Sequence, residues 1–140
     1  TLCVPILRAL PDWFGIEEAL DQYCAQINSL PTFLACGPQG VTGFLSIKQH
    51  NPFAAEVYVM GVLPSAHRRG LGRALMDAVQ SWLRERGVEY LQVKTLGPSR
   101  EDPNYAKTRD FYLALGFRPL EEFTRIWDEA NPCLILVKRL

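Results

Sequence analysis

The chain has 140 residues, 48% of them hydrophobic, and its 15 basic and 15 acidic side chains leave no net charge. This composition is typical of one soluble globular domain that buries its own core. The balanced charge argues against a nucleic-acid-binding surface, which needs a basic excess, and no apolar run approaches the roughly 20 residues of a membrane span.

The four cysteines, Cys3, Cys24, Cys36 and Cys133, are too widely spaced for a zinc or redox CxxC motif. Because no signal peptide precedes them, we interpret them as reduced thiols of a cytoplasmic protein. The chain begins with Thr rather than Met, which is consistent with a trimmed or processed N-terminus. We therefore expect a single domain over residues 1–140, with no metal, no membrane and no nucleic acid as partner.

The first half of the chain predicts helices and then strands. Residues 2–10 are apolar and helix-compatible, and residues 16–29 place apolar side chains three and four positions apart, as an amphipathic helix does. Two strands over residues 32–36 and 41–50, joined by the tight turn GPQG, predict an antiparallel hairpin. A third strand over residues 55–63 is almost continuously apolar, which indicates a central strand buried on both faces.

The second half alternates helices and strands. Apolar residues recur at helical spacing over residues 71–86, followed by a glycine stop. The strand over residues 90–96 should lie parallel to the strand at 55–63, because a helix connects them. A polar loop then leads to a short helix that ends at Gly116, and two strands, 117–123 and 133–140, joined through residues 124–132, close the chain. This order predicts an α+β domain with a mixed sheet.

The entrance to the helix at 71–86 concentrates glycine and arginine. A helix N-terminus exposes backbone N–H groups and the positive end of the helix dipole, and glycine lets the backbone approach a bulky anion. Gly70 and Gly72 would provide that approach. Positive charge would come from Arg68, Arg69 and Arg73; the alternative is a glycine-containing loop with solvated arginines. The stretch is neither a Walker A loop nor a complete GxGxxG fingerprint.

The stretch GVLPSAHRRGLGRALMDAVQSWL resembles the acyl-CoA-binding motif of the GNAT superfamily of N-acetyltransferases. The family pattern Gln/Arg-x-x-Gly-x-Gly/Ala corresponds to residues 67–72, with His67 in place of Gln or Arg. Downstream, TRDFYLALGF resembles the family's second motif, which usually ends in Phe/Leu-Tyr-x-x-x-Gly-Phe. The resemblance covers residues 31–137, and the two motifs follow the family's order and spacing.

The resemblance implies a mixed, mostly antiparallel sheet flanked by helices, whose central parallel strands splay apart. Acetyl-CoA would lie in the resulting cleft, with its pantetheine arm on the backbone of residues 60–63 and its pyrophosphate on residues 68–73. Family members usually begin with an edge strand carrying Arg-x-Ala, so that strand has been trimmed or the sheet starts one strand short. The residues implied to contact the cofactor are Met60, Gly61, Val62, Leu63, His67, Arg68, Arg69, Gly70, Leu71, Gly72, Arg73 and Asn104.

Two residues are candidates for catalysis. A lysine-like amine, with a pKa of about 10.4, is almost wholly protonated at neutral pH, so a general base would help. Glu56 lies where some histone-type family members place their base; the alternatives are a water-exposed carboxylate at the strand entry, or an orienting residue for an α-amino acceptor. Tyr112 matches the family tyrosine that protonates the leaving thiolate or hydrogen-bonds its sulfur, and core packing is the alternative. An Asn that the family often places before this Tyr is shifted here, with Tyr105 at its position and Asn104 one residue earlier.

The sequence gives the least information about the site that binds the acceptor. Trp13 and Phe14 could form an apolar wall and Glu17 could attract a cation, while core aromatics and a solvated helix face are the alternative. The loop at 97–105 and the segment at 126–132, either a lid or a polar turn, are further candidates, and His50 and His67 are interpreted as surface residues.

We predict an enzyme that moves an acetyl group from acetyl-CoA to a primary amine, a small molecule, by direct attack in a ternary complex, as a monomer or a homodimer. The alternatives are a protein or peptide amino-group acetyltransferase and a non-catalytic acyl-CoA-binding regulatory module. Because a module that only binds acyl-CoA has no requirement for Glu56 or Tyr112, their presence favours the enzyme.

Overall fold

A computed structural model of the chain describes residues 29–38, 40–64 and 70–140. The two helices predicted before residue 30, and any strand before them, lie outside the described residues. Within the described ranges, the elements in chain order are β1 (Thr32–Gly37), β2 (Gly40–Gln49), β3 (Ala54–Val62), α1 (Leu71–Glu85), β4 (Tyr90–Leu96), α2 (Pro103–Ala114), β5 (Arg118–Asp128) and β6 (Asn131–Arg139).

The six strands form one sheet in the order β1-β2-β3-β4-β6-β5. Every neighbouring pair is antiparallel except β3 and β4, which run parallel as predicted from the helix that joins them. The predicted hairpin of the first two strands is confirmed, as is the mixed, mostly antiparallel character of the sheet. No helix in the described ranges is long and apolar enough to cross a membrane.

The parallel pair at the centre of the sheet separates early. β3 and β4 pair over only four residues each, ending at Val57 and Val93, although β3 continues to Val62 and β4 to Leu96. At this point the β2–β3 register shifts by one residue, which makes Tyr58 the extra residue of a β-bulge. A bulge bends its strand and increases its twist. The bulge therefore coincides with the start of a gap between β3 and β4, and the predicted splay is confirmed.

Both helices pack on the same face of the sheet. Leu75, Val79 and Leu83 of α1 and Tyr112 of α2 belong to one buried cluster with alternate residues of the central strands. Since successive side chains of a strand point to opposite faces, the residues between them point to the other face. Glu56, between Ala55 and Val57 of the core, is one of these.

The last hairpin differs from the sequence prediction. Residues 124–132 were expected to connect two strands, but β5 continues to Asp128 and β6 begins at Asn131, so the connection is a two-residue turn. Thr124, Ile126 and Trp127 are β-branched or aromatic residues that favour strands. The Asp128 carboxylate accepts hydrogen bonds from the Asn131 backbone N–H, at 2.8 Å, and from its side-chain amide. The segment at 126–132 therefore forms the end of a hairpin, in which the β5–β6 register jumps from Phe123 to Asp128.

Candidate active site

The backbone of β3 beyond the bulge forms one wall of the gap. The Leu63 N–H donates to the Thr42 carbonyl at 2.8 Å, so Leu63 is turned toward β2. Because an antiparallel ladder alternates along the strand, Gly61 also presents its backbone groups to β2, whereas Met60 and Val62 present theirs to the side of β4. Of the four residues predicted to pair with a pantetheine arm, two therefore face the gap and two face the neighbouring strand.

The entrance to α1 has the properties of an anion site. Gly70 has φ 73 and ψ 11, in the left-handed region that residues with a Cβ adopt only at a cost. No side chain in the described ranges caps the helix, and its first turn carries no acidic residue. Its first N–H groups, over residues 71–73, lack intrahelical partners and lie at the positive end of the dipole. His67, Arg68 and Arg69 lie outside the described residues.

Gly72 allows the two helices to approach closely. A Cβ at this position would lie 3.1 and 3.2 Å from atoms of the Phe111 ring and 4.0 Å from Met60 Cε. The sequence suggested that Gly72 serves the approach of an anion. The geometry supplies a different reason for glycine here, because the Phe111 ring of α2 packs against α1 at this residue, beside the gap.

Replacing Gly72 with valine should lower the free energy of unfolding by about 2 kcal/mol, because the added side chain would overlap the Phe111 ring. Ala78→Val, at an exposed position of the same helix, should cost only about 0.5 kcal/mol in helix propensity. Urea denaturation of both variants measures the difference. Equal losses in the two variants would show that the Gly72–Phe111 contact does not limit packing.

Glu56 is buried rather than exposed, so the alternative of a water-exposed carboxylate is wrong. Its side chain is 6% exposed. Its Oε1 accepts from Gln92 Nε2 at 3.3 Å and Lys94 Nζ at 3.4 Å, and it lies 2.7 Å from His50 Nε2. All three contacts fall on Oε1. Among the described residues no such contact is made to Oε2, so one oxygen is held by the protein and the other is left for a further donor.

The three partners of Glu56 were not predicted from the sequence. Gln92 is directly opposite Glu56 in the parallel register, and Lys94 follows on the same face. His50, interpreted as a surface residue, is 35% exposed and links Glu56 to the outside of the sheet. The partners could have been predicted from the parallel pairing of β3 and β4. This pairing brings alternate polar residues of β4 to the face that carries Glu56.

Tyr112 lies on the opposite face of the sheet from Glu56. It is 5% exposed, and its ring packs edge-on against Phe111 and Phe117 at centroid distances of 5.4 and 5.5 Å. Burial raises the pKa of the Tyr112 phenol, with a smaller contribution from Tyr105. Tyr112 is therefore both a core residue and a neutral hydrogen-bond donor at physiological pH.

Helix α2 is fixed at its start and against β4. The Asp102 carboxylate caps the helix by accepting from the Asn104 and Tyr105 N–H groups at 3.0 and 3.1 Å. Arg109 Nη1 donates to the Leu96 carbonyl at 2.7 Å, at the end of β4. Asn104 lies in the first turn of this helix, and its backbone N–H is used by the cap. These bonds set the position from which α2 presents Tyr112.

Cys133 lies near the Glu56 cluster but is poorly suited to act as a nucleophile. Burial raises the pKa of its thiol to about 11, an effect that Lys94 opposes and Glu56 reinforces. The thiolate, which is the reactive form, is therefore scarce at neutral pH. In the described ranges there is also no group of three or more His, Cys, Asp or Glu residues that could hold a metal ion. Trp13 and Phe14, predicted as an apolar wall of the acceptor site, and Glu17, predicted to attract a cation, lie outside the described residues.

Comparison with known families gives a match over most of the described chain. A sequence model of the acetyltransferase (GNAT) domain matches residues 28–119. The mycothiol acetyltransferase of Beutenbergia cavernae is 38% identical over 74 residues, which is 53% of this chain and 23% of that protein. The mycothiol acetyltransferase of Nocardia farcinica is 41% identical over 85 residues, 59% of this chain and 26% of that protein. The chain thus spans about a quarter of the length of the curated relatives it matches.

Solved structures share the fold at low sequence identity. A GNAT-family protein of Desulfovibrio desulfuricans matches with a TM-score of 0.79 and 21% identity, covering 99% of this chain and 90% of that one. A GNAT acetyltransferase of Elizabethkingia anophelis, solved with acetyl-CoA bound, matches with a TM-score of 0.72 and 18% identity over 94% and 88% of the two chains. The ribosomal-protein-S18-alanine N-acetyltransferase of Escherichia coli has a TM-score of 0.69 and 19% identity over 86% and 76%.

Proposed function

The chain belongs to the GNAT family of acetyltransferases, and from that premise we propose that it moves the acetyl group of acetyl-CoA to a primary amine. The observation that carries the proposal is the parting of β3 and β4 beyond Val57 and Val93, beside a helix entrance with no side-chain cap in the described ranges. A gap between parallel strands and free helix N–H groups are the two features that an extended acyl chain with a pyrophosphate requires.

The described residues fit acetyl-CoA on chemical grounds. The backbone of Met60, which faces the gap, would pair with amide groups of the pantetheine arm as another strand would. The N–H groups of residues 71–73 would bind the pyrophosphate oxygens, with Gly70 providing the left-handed turn into the helix. Acetyl-CoA bound to the Elizabethkingia anophelis neighbour supports this ligand for the fold.

The proposed chemistry uses groups on both faces of the sheet. Oε2 of Glu56 takes a proton from the acceptor ammonium, while Oε1 stays held by its three neighbours. The neutral amine nitrogen then attacks the thioester carbonyl carbon, forming the C–N bond as the C–S bond breaks. The second amine proton leaves to water, and the departing sulfur takes up the negative charge.

Tyr112 would stabilise the leaving sulfur. A thiol has a pKa of about 8.5, below that of a phenol, and burial raises the pKa of Tyr112 further. Complete proton transfer from Tyr112 to the thiolate is therefore uphill. We assign Tyr112 the role of a hydrogen-bond donor to the developing thiolate, which then takes its proton from solvent.

Direct attack in a ternary complex agrees with the buried thiol of Cys133. A covalent acetyl-cysteine route needs a nucleophilic thiolate, and burial raises the pKa of Cys133 to about 11. No other cysteine in the described ranges lies near the gap, because Cys36 is exposed on the edge strand β1.

A small-molecule acceptor is our first choice, supported by relatives named mycothiol acetyltransferases. The second candidate, a protein amino group, is favoured by the fold shared with the ribosomal-protein-S18-alanine N-acetyltransferase. A purely acyl-CoA-binding module is the least favoured, because such a module has no requirement for a buried carboxylate at Glu56, whose Oε2 accepts no hydrogen bond from the described residues.

Acetyl-CoA should raise the melting temperature of the protein. At 100 times its dissociation constant a ligand stabilises the folded state by about 2.7 kcal/mol, which corresponds to roughly 8 °C for a chain of this size. NADH, which also carries a pyrophosphate but no pantetheine arm, serves as the control ligand and should give no comparable shift. An unchanged melting temperature at a millimolar excess of acetyl-CoA would contradict the proposed cofactor.

Turnover measured with a panel of amines, amino acids, polyamines and short peptides identifies the class of acceptor. We expect kcat/KM for the best small amine to exceed that for the best peptide by at least about tenfold, a difference of about 1.4 kcal/mol in transition-state binding. The opposite order would favour the protein acceptor. Binding of acetyl-CoA without turnover of any acceptor would favour the regulatory module.

A further inference from the structure

Thr95 carries a buried hydroxyl group that makes no hydrogen bond to any of the described residues. The residue is 3% exposed, and its Oγ1 is one of two buried side-chain polar atoms in the described ranges without a hydrogen-bond partner. The other, the amide nitrogen of Gln80, belongs to a side chain whose oxygen accepts from Lys138 at 3.0 Å. Thr95 thus differs from Gln80, because its side chain has no other polar atom through which to compensate.

The register places Thr95 close to the point where β3 and β4 part. Thr95 is two residues beyond Val93, where the pairing of β4 with β3 ends, and it stays paired with β6 through Leu134. By alternation it shares the face of Val93, which belongs to the core with Tyr112. Met60, across the gap on β3, packs against the same core. Thr95 therefore lies in the β4 wall of the gap, on the side of Tyr112.

An unpartnered hydroxyl at this position is unfavourable for the free protein. Burying a hydroxyl without a hydrogen bond leaves its desolvation uncompensated. Valine has nearly the same shape, favours strands as strongly, and would avoid that cost. Residues that break a local rule of stability are expected at functional sites, and a buried polar group without a hydrogen-bond partner needs an explanation.

We propose that the Thr95 hydroxyl donates a hydrogen bond to a carbonyl oxygen of the acyl-CoA arm that enters the gap. This inference rests on the proposed function, since it requires acyl-CoA in the gap. Two kinds of carbonyl in acetyl-CoA can accept this hydrogen bond, the thioester carbonyl and an amide carbonyl of the pantetheine arm. They are distinguished by comparing acetyl-CoA, which has both, with CoA, which has only the amides.

The test replaces Thr95 with valine, which should make the free protein more stable and its binding of acetyl-CoA weaker. The melting temperature of the free protein should rise by about 3 °C, because the unsatisfied hydroxyl is removed. The Kd for acetyl-CoA, from calorimetry, should increase about tenfold, the effect of one lost hydrogen bond. Thr95→Ser keeps the hydroxyl and should retain wild-type affinity. An equal increase in the Kd for CoA assigns the bond to a pantetheine amide, and an increase for acetyl-CoA alone assigns it to the thioester.

Thr32→Val is the matched control. The Thr32 hydroxyl donates to the Leu30 carbonyl at 3.1 Å and lies 2.8 Å from Ser46 Oγ, on the edge strand β1. Its loss should lower the melting temperature and leave the Kd unchanged. The proposal is overturned if Thr95→Val lowers the melting temperature, or if it binds both ligands as tightly as the wild type does. If the wild type itself binds neither ligand, the proposed function fails together with the role of Thr95.

Discussion

Replacing Glu56 with glutamine should lower kcat/KM for a lysine-like amine about 10²- to 10⁴-fold at neutral pH, the range contributed by a general base. Glutamine has the same shape and keeps an oxygen that can accept from His50, Gln92 and Lys94. The fold should therefore persist while the basic oxygen is lost. Circular dichroism and the melting temperature confirm folding, and steady-state kinetics measure the loss.

The pH dependence separates a base from a merely structural carboxylate. The free fraction of an amine with a pKa of about 10.4 rises tenfold per pH unit below that value, so the defect of Glu56→Gln should shrink as the pH rises toward about 9.5. With an α-amino acceptor, whose pKa is about 7.8, the defect should be smaller already at neutral pH. Glu85→Gln, an exposed carboxylate at the end of α1, should change neither quantity. A defect of constant size across pH and acceptors would contradict the role of base.

Replacing Tyr112 with phenylalanine should reduce kcat about 10- to 100-fold, because a hydrogen bond to a charged group contributes about 1.5–3 kcal/mol. The ring contacts with Phe111 and Phe117 remain, so the melting temperature should change little. Tyr90→Phe, on the exposed start of β4, is the control for loss of a phenol. Thioesters whose leaving thiols have a lower pKa should depend less on Tyr112, since their thiolates need less stabilisation.

The raised pKa of Tyr112 also predicts how the activity depends on pH. The phenol donates only while protonated, and its pKa lies above the usual value of about 10. Activity of the wild type should therefore not fall through Tyr112 deprotonation as the pH rises from neutral toward about 10. A loss of kcat in this range that disappears in Tyr112→Phe would contradict the placement of the phenol in the core. Full activity of Tyr112→Phe with every thioester would exclude the hydrogen-bond role.

Local patterns in the sequence predicted most of the fold. β3 is almost continuously apolar, and the apolar residues of α1 recur at helical spacing. A helix that follows a buried strand predicted the parallel β3–β4 pair. The length of β5 was not predicted, because the polar residues between Phe123 and Asn131 look like a loop. The end of β5 is fixed by the pairing of Asp128 with Asn131 and by the hydrogen bond that the Asp128 carboxylate accepts, and this side-chain contact was not foreseen.

The candidate site was predicted less completely, since its geometry depends on register. The face that Glu56 occupies follows from its place between two core residues, but its burial and its contacts with Gln92 and Lys94 require knowing which residues of β4 stand opposite. The packing of Phe111 on Gly72 likewise joins two helices far apart in sequence. Thr95 was not singled out from the sequence, because a threonine in a strand is ordinary; only the structure shows that its hydroxyl has no partner among the described residues.

The most direct measurement is the release of CoA thiol from acetyl-CoA by the wild-type protein, with and without an acceptor amine, together with mass spectrometry of the amine. Direct attack across the gap predicts that thiol appears only when amine is present, with one acetylated amine formed for each thiol released. Thiol release without amine, or no release with any acceptor on the panel, would contradict acetyl transfer by direct attack at this site.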